Sequence, residues 1–473
     1  MKILIIGAGR IGVAVAESLV SEANDITVVD LDGKNIEWLM SRYDLRGLVG
    51  DAVSPSLLKE AGAADADMLL AVTSSDETNL AVCLLADRIF NIPTRLARVR
   101  NFELRSYPRL LKEEGFGATS IIWPEQALTN YIVRLIDIPE ALQVKDFGNG
   151  AATLVAVRAE AGSPMVGGRI DELVAHVPHA CARIVALFRD GRNLPLSRRT
   201  IIETGDEALI LSEADHSRLA TTQLCRRSGR VKSLIIAGSA KMAKGIVDAL
   251  LEDSPYSDRR VPDSIRVIED QPAVAEKLAV ELGDKAAVLA GDFDDEDVLV
   301  TAGVQDCDLF VALSGDDENN ILSAMLAKRL GAKRTIALIN RRIYGDLIEG
   351  SKIDVTVSQT QAALDELVRY VRRGDVTAAY TLRHGIAEAL EIVAHGTKSN
   401  SKVVGRKLED IRLPEDCRFA AIMRDRADSD MPQVVMPDPG VEVEPEDRIL
   451  IFVPNRKLIP KIERLFAVDV GFF

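Results

Sequence analysis

The chain says the same thing twice. "KILIIGAGRIGVAVAESL" near the N-terminus is echoed by "KSLIIAGSAKMAKGIVDAL", which sets Gly7 over Gly238. Further on, "GDAVSPSLLKEAGAADADMLLAVTSSDETN" is echoed by "GDFDDEDVLVTAGVQDCDLFVALSGDDENN", which sets Asp51 over Asp292 and Asn79 over Asn320. A repeat of this length fixes the architecture before any single element is assigned, because each copy must build the same unit. The offset grows from 231 residues at Gly7 to 241 at Asp51, and the added residues read as the polar loop "EDSPYSDRRVPDS".

Within the first copy, short apolar runs alternate with helical patterns. Strands are expected at Ile3–Ile6, Ile26–Val29, Met68–Val72 and Leu96–Val99, and helices near 11–21, 56–61 and 77–89. That alternation predicts a parallel, doubly wound sheet covered by helices on both faces. The segments that follow also repeat, more faintly: "VGGRIDEL" answers "VGRKLEDI", and "PLSRRTIIETGDEALILS" answers "PQVVMPDPGVEVEPEDRILIFV". They read as small α+β units. The expected order is a Rossmann-like α/β domain over 1–138, a small α+β domain over 139–224, a second Rossmann-like domain over 231–372 and a second small domain over 373–473, with a polar linker near "CRRSGRVK".

In the first copy the strand "KILII" runs into Gly7, Ala8, Gly9, Arg10, Ile11 and Gly12. In a strand–loop–helix unit the first glycine allows the tight turn, the second lets the backbone approach a pyrophosphate, and the third lets the helix pack on its strand. The helix N-terminus supplies unpaired N–H groups and a positive dipole end. Asp30, followed by Leu31, lies 18 residues beyond Gly12 and closes "ITVVD". A carboxylate there accepts hydrogen bonds from ribose hydroxyls and repels a 2′-phosphate, which favours NAD(H) over NADP(H). Asp51 and Ala52 are expected beside the adenine, and Thr73 and Ser74 beside the phosphates or the second ribose. Arg98 can pair with phosphate oxygens; Arg100 serves equally well as phosphate partner or surface cation.

The second copy departs from this pattern. Gly9 and Gly12 become Ala240 and Ala243, so methyl groups stand where the dinucleotide pose needs none. Around Gly238, Ser239 and Met242, however, Lys241 replaces Arg10, Glu269 replaces Asp30 and Asp292 replaces Asp51, keeping a cation and two acids. A retuned nucleotide site and a purely structural copy both fit.

The remaining features narrow the function by exclusion. A net charge of −14 argues against a sequence-independent grip on nucleic acid. No apolar stretch approaches the roughly 20 residues that span a bilayer. Cys83, Cys181, Cys225, Cys307 and Cys417 are dispersed without a CxxC pair, which suits a reducing cytoplasm. A dehydrogenase needs a proton-transfer group beside the nicotinamide. His176, His179, His216, His384 and His395 all fall in the small domains, and the pair His176 and His179 lacks a third ligand spaced for zinc. The acids of "SSDETN" and "SGDDENN" sit where helices are capped. The sheet domains are expected to bind without catalysing. An NAD-dependent oxidoreductase is the alternative, and a DNA-binding redox sensor would need a basic helix-turn-helix that no segment offers.

The combination of "IIGAGRIG", "VVDLD", "GDA", "AGAADADMLLAVTSSDETN" and "WPE", each copy followed by a small β-rich domain, resembles the regulatory subunits of Trk potassium-uptake systems. Those proteins carry two tandem regulator-of-K+-conductance repeats, and the resemblance covers essentially the whole chain. It implies a non-enzymatic, cytoplasmic protein that binds NAD(H), or ATP or ADP. It also implies homo-oligomeric ring assembly, with a tetramer expected, and docking on the inner face of the membrane through a potassium channel or transporter. Glu125 of "WPE" matches a family position near a neighbour's nucleotide, and the second copy has Thr360 there. The helix carrying "EQALTNYIVRLIDIP" and its echo "QAALDELVRYVRRGDV" are expected either to cross between neighbouring sheet domains or simply to connect.

Overall fold

The apolar run after Met1 forms strand β1 (Lys2–Ile6), whose last four side chains are all buried. Continuous burial rather than alternation is what a central parallel strand requires, since helices cover both faces. Around it lie β2 (Asp25–Asp30), β3 (Arg46–Val49), β4 (Met68–Ala71), β5 (Thr94–Arg98) and β6 (Ser120–Ile122). Their order is β3-β2-β1-β4-β5-β6, all parallel. The order reverses between β1 and β4, and a crevice opens outside the carboxyl ends of the strands at such a point.

The computed structural model describes the chain except residues 21–23, 113, 179, 198, 227–228, 253–260, 342–343, 345–351, 372–375, 427–428 and 469–473. Most of the insertion loop, part of the linker and His179 thus lie outside the described residues. Two compact units emerge, Met1–Leu128 with Ser358–Leu367, and Thr129–Val357 with Val368–Phe473.

In the first unit, Leu4, Ile6, Leu69, Ala71 and Ala97 of the sheet pack against Leu80, Cys83 and Ala86 of the helix Asp76–Arg88. The expected helices appear at Arg10–Val20, Pro55–Glu60 and Asp76–Arg88. Sequence reading passed over β3, β6 and the helix Gly33–Met40. β3 and β6 are edge strands of four and three residues, partly exposed, so neither carries an uninterrupted apolar run.

In the second unit, a five-stranded antiparallel sheet comprises β7 (Gln143–Phe147), β8 (Ala152–Arg158), β9 (Ala182–Arg189), β10 (Arg192–Asn193) and β11 (Glu207–Glu213), ordered β10-β9-β11-β8-β7. The second parallel sheet comprises β12 (Ser233–Ala237), β13 (Ser264–Glu269), β14 (Ala287–Ala290), β15 (Leu309–Ala312), β16 (Arg334–Leu338) and β17 (Val355–Val357). Its order, β14-β13-β12-β15-β16-β17, repeats that of the first. The last sheet comprises β18 (Val376–Leu382), β19 (Ala387–Val393), β20 (Arg418–Arg426), β21 (Ser429–Val435) and β22 (Arg448–Val453), ordered β18-β19-β22-β20-β21. The fold is therefore α/β, with two Rossmann-like sheets and two small antiparallel sheets.

The two small sheets share one core. Phe147 meets Tyr380 edge-on at 5.0 Å between ring centres, and Phe188 meets Phe452 at 6.4 Å. Each small sheet carries the same charged fastening. Arg189 closes on buried Asp206 through Nε at 2.8 Å and Nη2 at 2.9 Å, and Arg424 closes on buried Asp447 through both atoms at 2.8 Å. The described cysteines are all free thiols. Burial pushes Cys83, Cys225 and Cys307 up to about 12, so these behave as small apolar side chains.

Candidate nucleotide-binding site

The loop from Gly7 to Gly12 leaves β1 at the crevice. Gly7 has φ 103°, and a Cβ there would come within 3.0 Å of Thr73 N. A Cβ at Gly12 would lie 1.8 Å from the carbonyl oxygen of Gly7, so the helix Arg10–Val20 sits directly on the turn. Internal packing therefore demands these two glycines. Gly9 differs: its φ is outside the left-handed region, and a Cβ there would meet no atom within 4 Å. Among the described residues nothing asks for glycine at this position.

The strands deliver the other expected residues to the same rim. Asp30 is the last residue of β2, Asp51 and Ala52 follow β3, Thr73 and Ser74 follow β4, and Arg98 ends β5. Asp30 Oδ2 accepts the Ala8 N–H at 2.5 Å, and Oδ1 accepts the Asp32 N–H at 2.7 Å. Each oxygen keeps lone pairs for further donors. Asp51 Oδ1 accepts Val53 N–H at 3.0 Å beside buried Ala52, while Leu31, 75% exposed, and Arg10 face solvent. Ile11, by contrast, is buried under the helix.

Sequence reasoning missed the residue that ties these pieces together. Asn79, fully buried, accepts Thr73 N–H at 2.9 Å and Thr73 Oγ1–H at 2.7 Å, and donates to the Arg98 carbonyl at 2.9 Å. Asn320 does the same work, accepting Ser314 N–H at 2.7 Å and donating to Ser314 O at 3.0 Å and Leu338 O at 2.9 Å. The available signal was that Asn79 and Asn320 coincide in the repeat. The acids nearby behave as caps and clips. Ser75 caps Thr78 N–H at 3.0 Å, and Asp76 accepts Arg100 N–H at 2.9 Å and Asn101 N–H at 2.8 Å. The Arg100 guanidinium donates to the Ser74 carbonyl.

Arg98 and Glu125 meet at the edge of the crevice. Arg98 Nη2 lies 3.4 Å from Glu125 Oε1, and Nη1 lies 3.5 Å from Thr73 O. Among the described residues Arg98 Nε, which is buried, has no hydrogen-bond partner. Burial depresses the guanidinium pKa, against the pull of Glu125. Glu125 also accepts the Gln359 amide at 2.7 Å, and Glu366 accepts the Trp123 N–H at 3.2 Å.

The second repeat assembles the homologous rim differently. Ser239, at φ 49°, is left-handed, and the helix starts at Ala240, one residue earlier than the repeat predicts. This shift gives the Ala243 methyl a fully buried place where the first repeat would clash. Glu269 reaches Ala240 N–H at 3.1 Å, and its pKa is raised by burial and then by Asp270. Asp292 accepts Asp294 N–H at 3.3 Å; Lys241 is exposed and Met242 buried. In strand register Leu338 stands in for Arg98, and Thr360 for Glu125. Both members of the charged pair are replaced together.

The described histidines lie elsewhere: His176 in a small-domain helix, His216 3.1 Å from Glu213, and His395 2.7 Å from Glu446. Among the described residues no helix is long and apolar enough to cross a membrane.

Comparison with known proteins follows the repeat. The TrkA-N domain family matches residues 3–124 and again 234–359, and the TrkA-C domain family matches 397–467. The Trk system potassium uptake protein TrkA of Vibrio alginolyticus is 40% identical over 473 residues, covering all of both chains. That of Haemophilus influenzae is 40% identical over 473 residues, again covering both chains entirely. Among solved structures, the GsuK RCK domain aligns with TM-score 0.58 at 16% identity, over 98% of this chain and 95% of that one. The GsuK channel bound to NAD aligns with TM-score 0.59 at 16% identity, over 98% of this chain and 79% of that one. Sharing two fifths of its residues along the entire length, this chain belongs to the family of Trk system potassium uptake proteins TrkA.

Proposed function

We propose that the chain is a nucleotide-binding regulatory subunit for potassium uptake, and that its first Rossmann-like domain is the principal ligand site. The observation that carries this reading is Gly9, a loop glycine that no protein atom requires, at the start of a helix and beside Asp30. The residues fit a dinucleotide. Backbone N–H groups of Gly9, Arg10 and Ile11 would meet the pyrophosphate, Asp30 the adenosine ribose, Asp51 and Ala52 the adenine, and Arg98 a phosphate. NAD(H) is the expected ligand, and ATP or ADP would use the same phosphate and ribose contacts. The second domain, with Gly238, Ser239, Ala240, Lys241, Met242, Glu269 and Asp292 at its rim, is a retuned site.

Binding rather than turnover is the proposed output. A ligand with different affinity for two conformations of a cytoplasmic homo-oligomeric ring biases that ring. A membrane potassium transporter docked on the ring then responds. The tetramer and its place on the inner membrane face belong to this proposal, and Glu125 lies beside Arg98 of its own chain. The test is calorimetric titration of the full chain with NADH, NAD+, ATP and ADP, followed by potassium flux through the partner transporter in liposomes. Nucleotide-dependent flux without NADH consumption supports the reading; sustained NADH turnover favours an oxidoreductase.

A further inference from the structure

We propose that Gln359, a residue of the second repeat, is a positioning residue of the first repeat's nucleotide site: by holding Glu125, it keeps Arg98 open to a ligand phosphate. This rests on the reading of the first repeat as a nucleotide site. Glu125 has two partners through the same oxygen, Oε1. The neutral amide of Gln359 is at 2.7 Å, and the cationic Arg98 is farther away, at 3.4 Å. An unconstrained guanidinium and carboxylate close to about 2.7–2.9 Å, commonly with two parallel bonds.

Other pairs in this protein do close. Arg134 meets Asp146 through Nε at 2.8 Å and Nη2 at 3.0 Å, and Arg189 and Arg424 grip Asp206 and Asp447 in the same two-pronged way. Arg98 instead makes one long contact to Glu125 and one to Thr73 O, and leaves buried Nε without a partner. A mostly buried guanidinium, 14% exposed and with an unpartnered Nε, at a helix-terminus crevice is a receptor for an anion, provided the nearby carboxylate is kept from collapsing onto it. Gln359 supplies that restraint.

The second repeat argues that the pair is functional rather than structural. It keeps the strand order and the asparagine clip, yet has Leu338 and Thr360 in place of Arg98 and Glu125. The fold does not need the pair, so the pair serves the site.

The experiment uses the full chain as wild type, Gln359→Met, Gln359→Ala, Glu125→Gln and the double variant Glu125→Gln/Gln359→Met. Each is titrated calorimetrically with ATP, NAD+ and adenosine, with thermal unfolding confirming the fold. Releasing Glu125 onto Arg98 should weaken ATP binding by about five- to thirtyfold, the scale of one charge-assisted contact. NAD+, with less phosphate charge, should lose less, and adenosine nothing. Glu125→Gln should bind ATP at least as tightly as wild type, and in that background Gln359→Met should have no effect. Equal losses for ATP and adenosine, or the same loss with and without Glu125, would overturn the inference while leaving the nucleotide site standing. Failure of the wild type to bind any of the three would overturn the site itself and this inference with it.

Discussion

The backbone N–H of Ala8 donates to Asp30 Oδ2 at 2.5 Å, so the acid that ends β2 holds the glycine loop in addition to its proposed contact with a ribose. Asp30→Ala removes a charged acceptor and leaves that N–H without its partner. NAD(H) binding should weaken by about 1–3 kcal/mol. Asp30→Asn keeps a neutral oxygen and should lose less. Calorimetry on variants with intact thermal unfolding checks this, and unchanged affinity in Asp30→Ala would remove the ribose contact.

Asn79→Ala takes the side-chain partner from the Thr73 N–H and the Arg98 carbonyl at once and leaves Thr73 Oγ1–H with Ser75 O alone, at 3.2 Å. The expected loss is about 2–4 kcal/mol of stability, in the range of broken buried networks. Asn320→Ala should cost a similar amount, because its clip is the same. Denaturant unfolding measures both, and a loss below about 1 kcal/mol would show that relaxation or water replaces the clip.

Legibility in the sequence divides along the range of the interactions involved. The strands β1, β2, β4 and β5, the glycine loop and Asp30 were readable because local patterns specify them: apolar runs, a three-glycine turn and an acid at a strand end. The edge strands β3 and β6 were not, being short and partly exposed. Asn79 was visible only as a coincidence between copies, since its partners lie in the loop after β4 and at the end of β5. Gln359 was invisible, because 234 residues separate it from Glu125 and only the fold brings them together. The earlier helix start at Ala240 was also unreadable, because it depends on Ser239 adopting a left-handed backbone.

Acid should release a fastening at the start of the second sheet. Burial pushes the Asp308 carboxyl up, but Lys333 and the N–H groups of Lys232 and Ser233 outweigh it and bring the pKa below the ordinary value. The partner agrees, since Asp308 raises Lys333. A carboxyl lowered in the folded state contributes stability that is present above about pH 4, the unfolded Asp value, and lost as pH falls through the folded value. Asp308→Asn should therefore destabilise at neutral pH and differ progressively less from wild type below about pH 4. Glu269, raised by burial, acts in the opposite sense, its contribution fading as pH rises. Urea midpoints across pH for both proteins decide the matter, and a pH-independent difference would show that Asp308 acts by packing alone.

Substituting the loop glycines separates packing from ligand approach. Gly12→Ala places a methyl 1.8 Å from the Gly7 oxygen and must displace helix or turn, so stability should fall. Gly9→Ala meets no protein atom, so the unfolding temperature should hold while NAD(H) affinity drops. Loss of stability in Gly9→Ala, or retained NAD(H) affinity in a folded variant, would contradict the assignment.

The two repeats should consequently bind unequally. The second has Ala240 opening its helix, Ser239 strained at φ 49°, and Leu338 and Thr360 in place of the Arg98–Glu125 pair. Its backbone offers less room for a pyrophosphate, and it lacks the guanidinium that would meet one. ATP depends less on that close approach, so the second repeat should discriminate against NAD more strongly than against ATP. In the full chain, NAD+ titration should therefore give one strong site, which Gly9→Ala abolishes, whereas ATP should retain binding in that variant. Ala240→Gly should not restore a full NAD site, because the helix would still begin early over Ala243. Two equal NAD+ sites per chain, or a single site that survives Gly9→Ala, would remove the basis for giving the repeats separate roles.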